Sequence, residues 1–386
     1  MAIVAGGACD TRVDRSGRGP VIDTLANGAV RVANRQIDAW AGTEPWVLVE
    51  ELRLGAVDDD GPELFATILD FALDAAGSIY VLDAGSREIR VFDSGGHFLR
   101  SQGGPGEGPG EFGGVGGLTW GPAGELWVVD YSLHVYTAFA PDGTFLRSMP
   151  RAVRGFIYPW PGWFDSGGFL VDWTYSRERV AVEDFPAREI RKLVRVSSDG
   201  EPLDTPLVLS HVVPLVASGE RWIPFRPATG MRPGPSGSLL WYRTDEYSIA
   251  RVTLSGDTTL VFSLDSSPAP VTDAERDSVL AIGGSEGPRY SSLDIPRAKP
   301  IIRRMTVGDD GYIYVLPETV GRGAGSVVDI FTDAGVYLGA MEAPGISVGR
   351  GAPPPVVRGG YLHAVVRDEL DVENLIRFRI ERPDGS

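Results

Sequence analysis

Apolar and polar positions alternate in short runs along this chain, and the runs repeat. "LFATILDFALDAAGSIYVLDAGSREIRVFDSGGHFLRS" (64–101) and "EFGGVGGLTWGPAGELWVVDYSLHVYTAFAPDGTFLRS" (111–148) superpose without a gap at an offset of 47. Phe65 falls on Phe112, Gly77 on Gly124, Asp83 on Asp130, Phe92 on Phe139, Gly96 on Gly143 and Leu99 on Leu146. A fixed period of this size marks a repeat architecture, which has to be settled before any motif is read. Within a unit, "SIYVLD" and "ELWVVD" have the β-branched and aromatic content of half-buried strands. "DSGG" and "APDG" supply glycines for the positive φ of tight hairpins. Four short antiparallel strands per unit of about 40–50 residues describe a propeller blade.

Weaker copies follow. "GGFLVDW" (167–173) pairs with "KLVRVSSDGEPLDTPLVL" (192–209) across a long excursion, and "PSGSLLWYRTDEYSIARVTLSGDTTLVFSL" (235–264) is compact again. "GDDGYIYVLPE" and "SVVDIFTDAGVYLGAM" (308–341) restore the first frame with a longer inner hairpin. The last unit stops at "RPDGS", one residue after the turn that elsewhere introduces an outermost strand. The missing strand is offered by "WVLVEELRLGAVDDDGPELF" (46–65), which matches "HFLRSQGGPGEGPGEF" at the same offset, Leu52 on Leu99. The sequence therefore predicts an all-β, six-bladed propeller of four antiparallel strands per blade. Its N-terminal strand, near 46–54, closes the last blade and removes two exposed sheet edges. Residues 1–45 are expected to be a leader or tether with an extension, and 46–386 one domain.

The glycine-rich "QGGPGEGPGEF" (102–112) is the crossing from one blade's outer strand to the next blade's inner strand. It lacks the lysine and following helix of a phosphate loop. One helix is expected, "TDAERDSVLAI" (272–282), capped by Thr272 or Asp273.

With these motifs in place, the chain resembles the NHL-type six-bladed β-propellers. The resemblance rests on the "G-x-[IL]-[YW]-V-x-D" strands (Gly77 to Asp83, Gly124 to Asp130), the "F-D-x-x-G-x-F-L" hairpin (Phe92 to Leu99) and the crossing at 104–112. It covers residues 46–386 and is similar in particular to bacterial secreted or lipid-anchored propellers. The resemblance implies a fold rather than an activity, since such propellers host ligases, lactonases, lyases and binding platforms alike.

Charge narrows the partners. A formal net charge of −16 argues against a general grip on nucleic acid or anionic lipid. Cys9 is the only cysteine, so no internal disulfide and no cysteine-built metal centre can form. "MAIVAGGACDTR" ends a short apolar stretch with small residues before that cysteine, as the tail of a bacterial lipoprotein signal does. It lacks the basic n-region and is too short for a complete signal. Two readings stay open: lipidation at Cys9 and a periplasmic or cell-surface location if translation starts upstream, or a plain cytoplasmic protein if Met1 is the true start. A monomer is expected.

Candidate chemistry is sparse. His97, His134, His211 and His363 fall in different units at no metal-ligand spacing. The resemblance implies where a gluconolactonase-type cation or a lyase-type zinc site would sit, and neither residue set is present at equivalent positions. "AVDDDGPE" (56–63) is a dense acidic cluster, and it aligns with a crossing loop. No metal and no cofactor are expected. On the innermost strands, Asp70, Gly117, Gly230 and Arg304 align, with Arg232, Arg303 and Arg358 nearby. Such an arrangement either binds a carboxylate, phosphate or sugar acid in a fork geometry or closes a central channel through ion pairs. Trp160, Trp163, Trp222 and Arg226, in loops that break the repeat, are expected to face a protein, peptide or glycan ligand. The expected function is a non-catalytic binding or scaffold propeller of the cell envelope. The alternative is a lactonase- or lyase-type enzyme with a divalent cation at the channel mouth.

Overall fold

A computed structural model describes residues 19–40, 43–55, 61–155, 158–179, 186–214, 224–284, 287–288, 292, 295–318, 327–343, 345–346 and 351–383. The fold is a six-bladed β-propeller, nearly all β, with each blade an antiparallel sheet of four strands. The chain divides into two compact units. One holds residues 47–222 and 343–381, the other 1–46, 223–342 and 382–386.

The first unit contains four blades. Blade one runs Ile68–Leu73, Ile79–Asp83, Glu88–Phe92 and Phe98–Gly103. Blade two runs Val115–Trp120, Leu126–Asp130, Val135–Phe139 and Phe145–Pro150, at the offset the sequence shows. Both innermost strands carry a bulge at the same place, before Asp70 and before Gly117. Leu82, Ile89, Val91, Phe112, Leu126 and Val128 pack into one cluster between the two sheets, each fully buried. Leucine, valine, isoleucine and phenylalanine at alternate strand positions produce it, because successive side chains point to opposite faces.

Asp83 and Asp130 end their strands fully buried. Asp83 accepts from the amides of Ala66, Thr67 and Gly85 at 3.0–3.2 Å, and Arg90 approaches it at 3.3 Å. Asp130 accepts from Gly113, Gly114, Ser132 and Leu133. The recurring aspartate thus satisfies N–H groups that the loop cannot pair with a strand, which is why it recurs. Glycines allow the crossing. Gly103 has φ +92°, and a Cβ there would lie 2.2 Å from the Phe112 ring.

Blade six consists of Val356–Arg358, Tyr361–Arg367, Glu373–Glu381 and, as outermost strand, Val47–Leu54. Leu375 pairs with Leu54, and Glu381 pairs with Val47. The strand expected near 46–54 is therefore the closing strand. In blade three the expected excursion is a long β-hairpin. Leu170–Arg179 pairs with Pro186–Val196, which pairs with Pro202–Pro214. The second strand of this blade has ten residues, against five in the corresponding strands of blades one and two, so the ladder extends well past the blade's usual length.

The second unit holds blades four (Thr229–Pro233, Leu239–Arg243, Ser248–Val252, Thr258–Leu264) and five (Ile302–Val307, Ile313–Pro317, Val327–Phe331, Tyr337–Glu342). Residues 21–34, placed by the sequence in an extension outside the propeller, form a hairpin that widens blade four to six strands. Val30–Asn34 pairs in parallel with the outer strand Thr258–Leu264. Asn34 then joins the two blades, donating to Ser263 O and Gly335 O and accepting from Tyr337 N. Trp40 continues onto blade five through Leu338 O and Ala340 O. The helix is Asp273–Leu280, and Thr272 caps it in a reciprocal capping box with Glu275.

Candidate functional site

Three of the candidate inner-strand residues tie one blade to the next. Asp70 accepts from Phe71 N at 2.9 Å and, across to blade two, from Leu118 N at 2.8 Å. Gly117 stands at this contact because a Cβ there would lie 2.8 Å from Trp160 N and 2.9 Å from Asp70 Oδ2. Arg358 of blade six donates to Leu73 O of blade one at 2.9 Å. Arg232 of blade four donates from Nε to Met305 O of blade five at 3.1 Å and from Nη1 to Met231 O at 2.8 Å. Charged side chains on inner strands thus satisfy backbone groups of the neighbouring sheet.

In the second unit, Arg232, Arg303 and Arg304 converge, because the inner strands of blades four and five lie side by side and a bulge precedes Arg304. All three are half-buried. Glu318, at the end of the next strand, pairs with Arg303 Nε; it was not among the residues singled out from the sequence. Arg304 donates to Arg303 O at 3.2 Å. Burial holds the Arg303 guanidinium below its usual value. Burial also lowers Arg304, to about 10, with Arg232 and Arg303 adding repulsion while Tyr242 acts the other way. Among the described residues, three cations and one carboxylate gather at this place in an acidic protein, an arrangement suited to an oxyanion ligand.

The loop candidates divide. Trp160, expected in a loop the fold does not need, is 3% exposed and packs beside Tyr136 at 5.7 Å. Its Nε1 donates to Asp172 at 2.8 Å. This corrects the expectation: the indole closes a buried polar network, and truncating it acts on the fold. Trp163 is half-buried in a two-residue inner strand, edge-on to Trp173 at 6.4 Å. Arg226 is half-buried. Trp222 and Cys9 lie outside the described residues.

Asp172 is the centre that the sequence reading missed. With a side chain 1% exposed, it accepts from Arg151 Nε (2.8 Å), Tyr136 Oη (2.5 Å), Trp160 Nε1 and its neighbour Trp173 N. Burial pulls the Arg151 pKa down, but Asp172 more than offsets this and leaves it raised. The signal was present, since aspartate in "FLVDW" stands where blades one and two have Val81 and Val128. A second buried carboxyl, Asp329, accepts from Tyr247 at 2.5 Å and Tyr337 at 3.0 Å, and burial raises its pKa. Among the described residues no three His, Cys, Asp or Glu side chains gather where they could hold a metal ion.

His363, 5% exposed, is the histidine with a measurable consequence. Burial and the nearby Arg377 push its pKa from 6.5 down to about 4, against a hydrogen bond with the Val356 backbone. The folded state resists protonation, so this contribution to stability is complete above pH 6.5 and lost as pH falls towards 4. About 3 kcal/mol is at stake. Urea titrations across that window should show a decline in stability that His363→Gln flattens; equal slopes for both proteins would contradict this assignment.

No family model matches the chain, and no curated protein matches it. Solved structures do. A Bacteroides fragilis protein whose name assigns it to export aligns at 14% identity and TM-score 0.52, over 91% of this chain and 100% of that one. A member of the DUF4221 family from Bacteroides vulgatus aligns at 11% identity and TM-score 0.52, over 87% and 99%. At these identities the likeness is one of fold, and it makes this chain similar to six-bladed propellers of Bacteroides.

Proposed function

We propose that this protein is a non-catalytic, ligand-binding β-propeller of the NHL type that takes a small oxyanion at Arg232, Arg303 and Arg304. The ligand class is a carboxylate, phosphate or sugar acid. The observation that carries the reading is the pair of adjacent guanidiniums on the inner strand of blade five, kept at depressed pKa with Glu318 opposite Arg303. Holding like charges together and partly desolvated costs stability. A bound anion removes that cost and gains bidentate hydrogen bonds. A cell-envelope location belongs to the same reading. Its supports are the small-residue stretch before Cys9 and the B. fragilis protein of similar fold whose name assigns it to export.

A thermal-shift screen with inorganic phosphate, citrate and glucuronate tests the site. At least one anion is expected to raise the melting temperature of the wild type. Arg304→Met is expected to lose the anion response, because the guanidinium that pairs with the anion is gone. If no anion shifts the wild type, or Arg304→Met responds as fully, the proposal fails.

A further inference from the structure

The outer strand of blade three, Pro202–Pro214, has 13 residues, against six in the outer strands of blades one and two. Among the described residues, no strand pairs with its outer edge. Such an edge presents unpaired N–H and C=O groups, and proteins usually guard it with charge, proline or a covering segment. Glu50, Glu51 and Arg53 mark the outer strand of blade six, and Arg100 and Arg147 those of blades one and two. Blade four's outer strand is covered by Val30–Asn34, so this chain already satisfies one edge by adding a strand.

Blade three differs. Between Pro206 and Pro214 lie seven residues, Leu-Val-Leu-Ser-His-Val-Val, with no Asp, Glu, Lys or Arg among them. The run is self-complementary about Ser210. Antiparallel pairing of two copies on a two-fold axis there sets Val208 opposite Val212, Leu207 opposite Val213 and Leu209 opposite His211. It also sets Pro206 opposite Pro214, so residues without an N–H close the ladder at both ends. Val208 is 51% exposed while Leu207 is 5% exposed, so Val208 gives the paired edge an apolar side chain still in water.

We infer that the 207–213 edge of blade three is where two copies of this chain associate, as antiparallel strands continuing one sheet. This departs from the monomer expected from the sequence. The net charge of −16 opposes association at long range, whereas the paired run itself carries no formal charge. Added salt therefore strengthens the dimer by screening the repulsion.

Sedimentation equilibrium of the full chain at low and moderate salt tests this. A reversible monomer–dimer equilibrium is expected, with the dimer fraction rising with salt. Hydrogen exchange should show amides 207–213 more protected at high protein concentration. Val208→Lys, at an exposed position, should keep the wild-type melting temperature and weaken association about tenfold or more by placing charge on the edge. Val208→Thr should associate like wild type. A wild-type chain that stays monomeric at every concentration and salt overturns the inference. So does a dimer that Val208→Lys leaves unchanged.

Discussion

Replacing Asp172 with alanine is expected to destabilise the protein by about 3–5 kcal/mol, because it strands a buried guanidinium. The Arg151 side chain is 2% exposed, and Asp172 is its carboxylate partner at 2.8 Å. Arg151 keeps one backbone acceptor, Gly155 O at 3.0 Å, and the faces of Tyr131 and Tyr136. None of these carries a negative charge. The hydroxyl of Tyr136 and the indole N–H of Trp160 lose their acceptor in the same step. The double variant Arg151→Met, Asp172→Ala removes both charges and should recover part of the loss, so a double-mutant cycle by urea denaturation isolates the pair. An Asp172→Ala protein within about 1 kcal/mol of wild type would show that the network is not held as described.

The second large effect concerns closure. Deleting Val47–Leu54 is expected to abolish cooperative melting of the unit that contains blade six. Eight residues of ladder leave the strand Glu373–Glu381, and with them goes the ion pair of Arg379 with Glu51 at 2.6 Å. Leu54, 1% exposed, also leaves the cluster it shares with Phe65, Phe92 and Leu375. Leu52 packs where Gly96 has no side chain, 2.6 Å from the position a Cβ would take. The deletion therefore reopens a sheet edge and a core together. Calorimetry of the deletion protein should show a broad transition at much lower temperature. A sharp transition at the wild-type temperature would contradict the assigned role of this strand.

Blade closure was legible because it rests on residues that repeat. Leu52 and Leu99, Phe65 and Phe112, Asp83 and Asp130 stand at one offset, and each does the same structural task twice. What the sequence did not disclose depends on partners far away in the chain. Val30–Asn34 pairs in parallel with residues more than two hundred positions later, and a parallel pair leaves no hairpin signal. The long blade-three ladder was obscured because "TYSRER" and "PAREIRK" are charged and lack the alternation of a half-buried strand, so only their pairing reveals it. Trp160 looked like loop because it breaks the repeat, whereas its partner Asp172 lies in the core. At the candidate site the residue types were legible but their uses were not. Asp70, Arg232 and Arg358 spend hydrogen bonds on a neighbouring blade's backbone, which only the register of adjacent sheets reveals.

Isothermal titration of the purified protein with the anion that most raises its melting temperature tests the proposed ligand site most directly. One anion bound per chain is expected in the wild type, weakened by added chloride, and no measurable heat from Arg304→Met at the same concentrations. Binding of equal strength by Arg304→Met, or no binding by a wild type whose fold is intact, would contradict it.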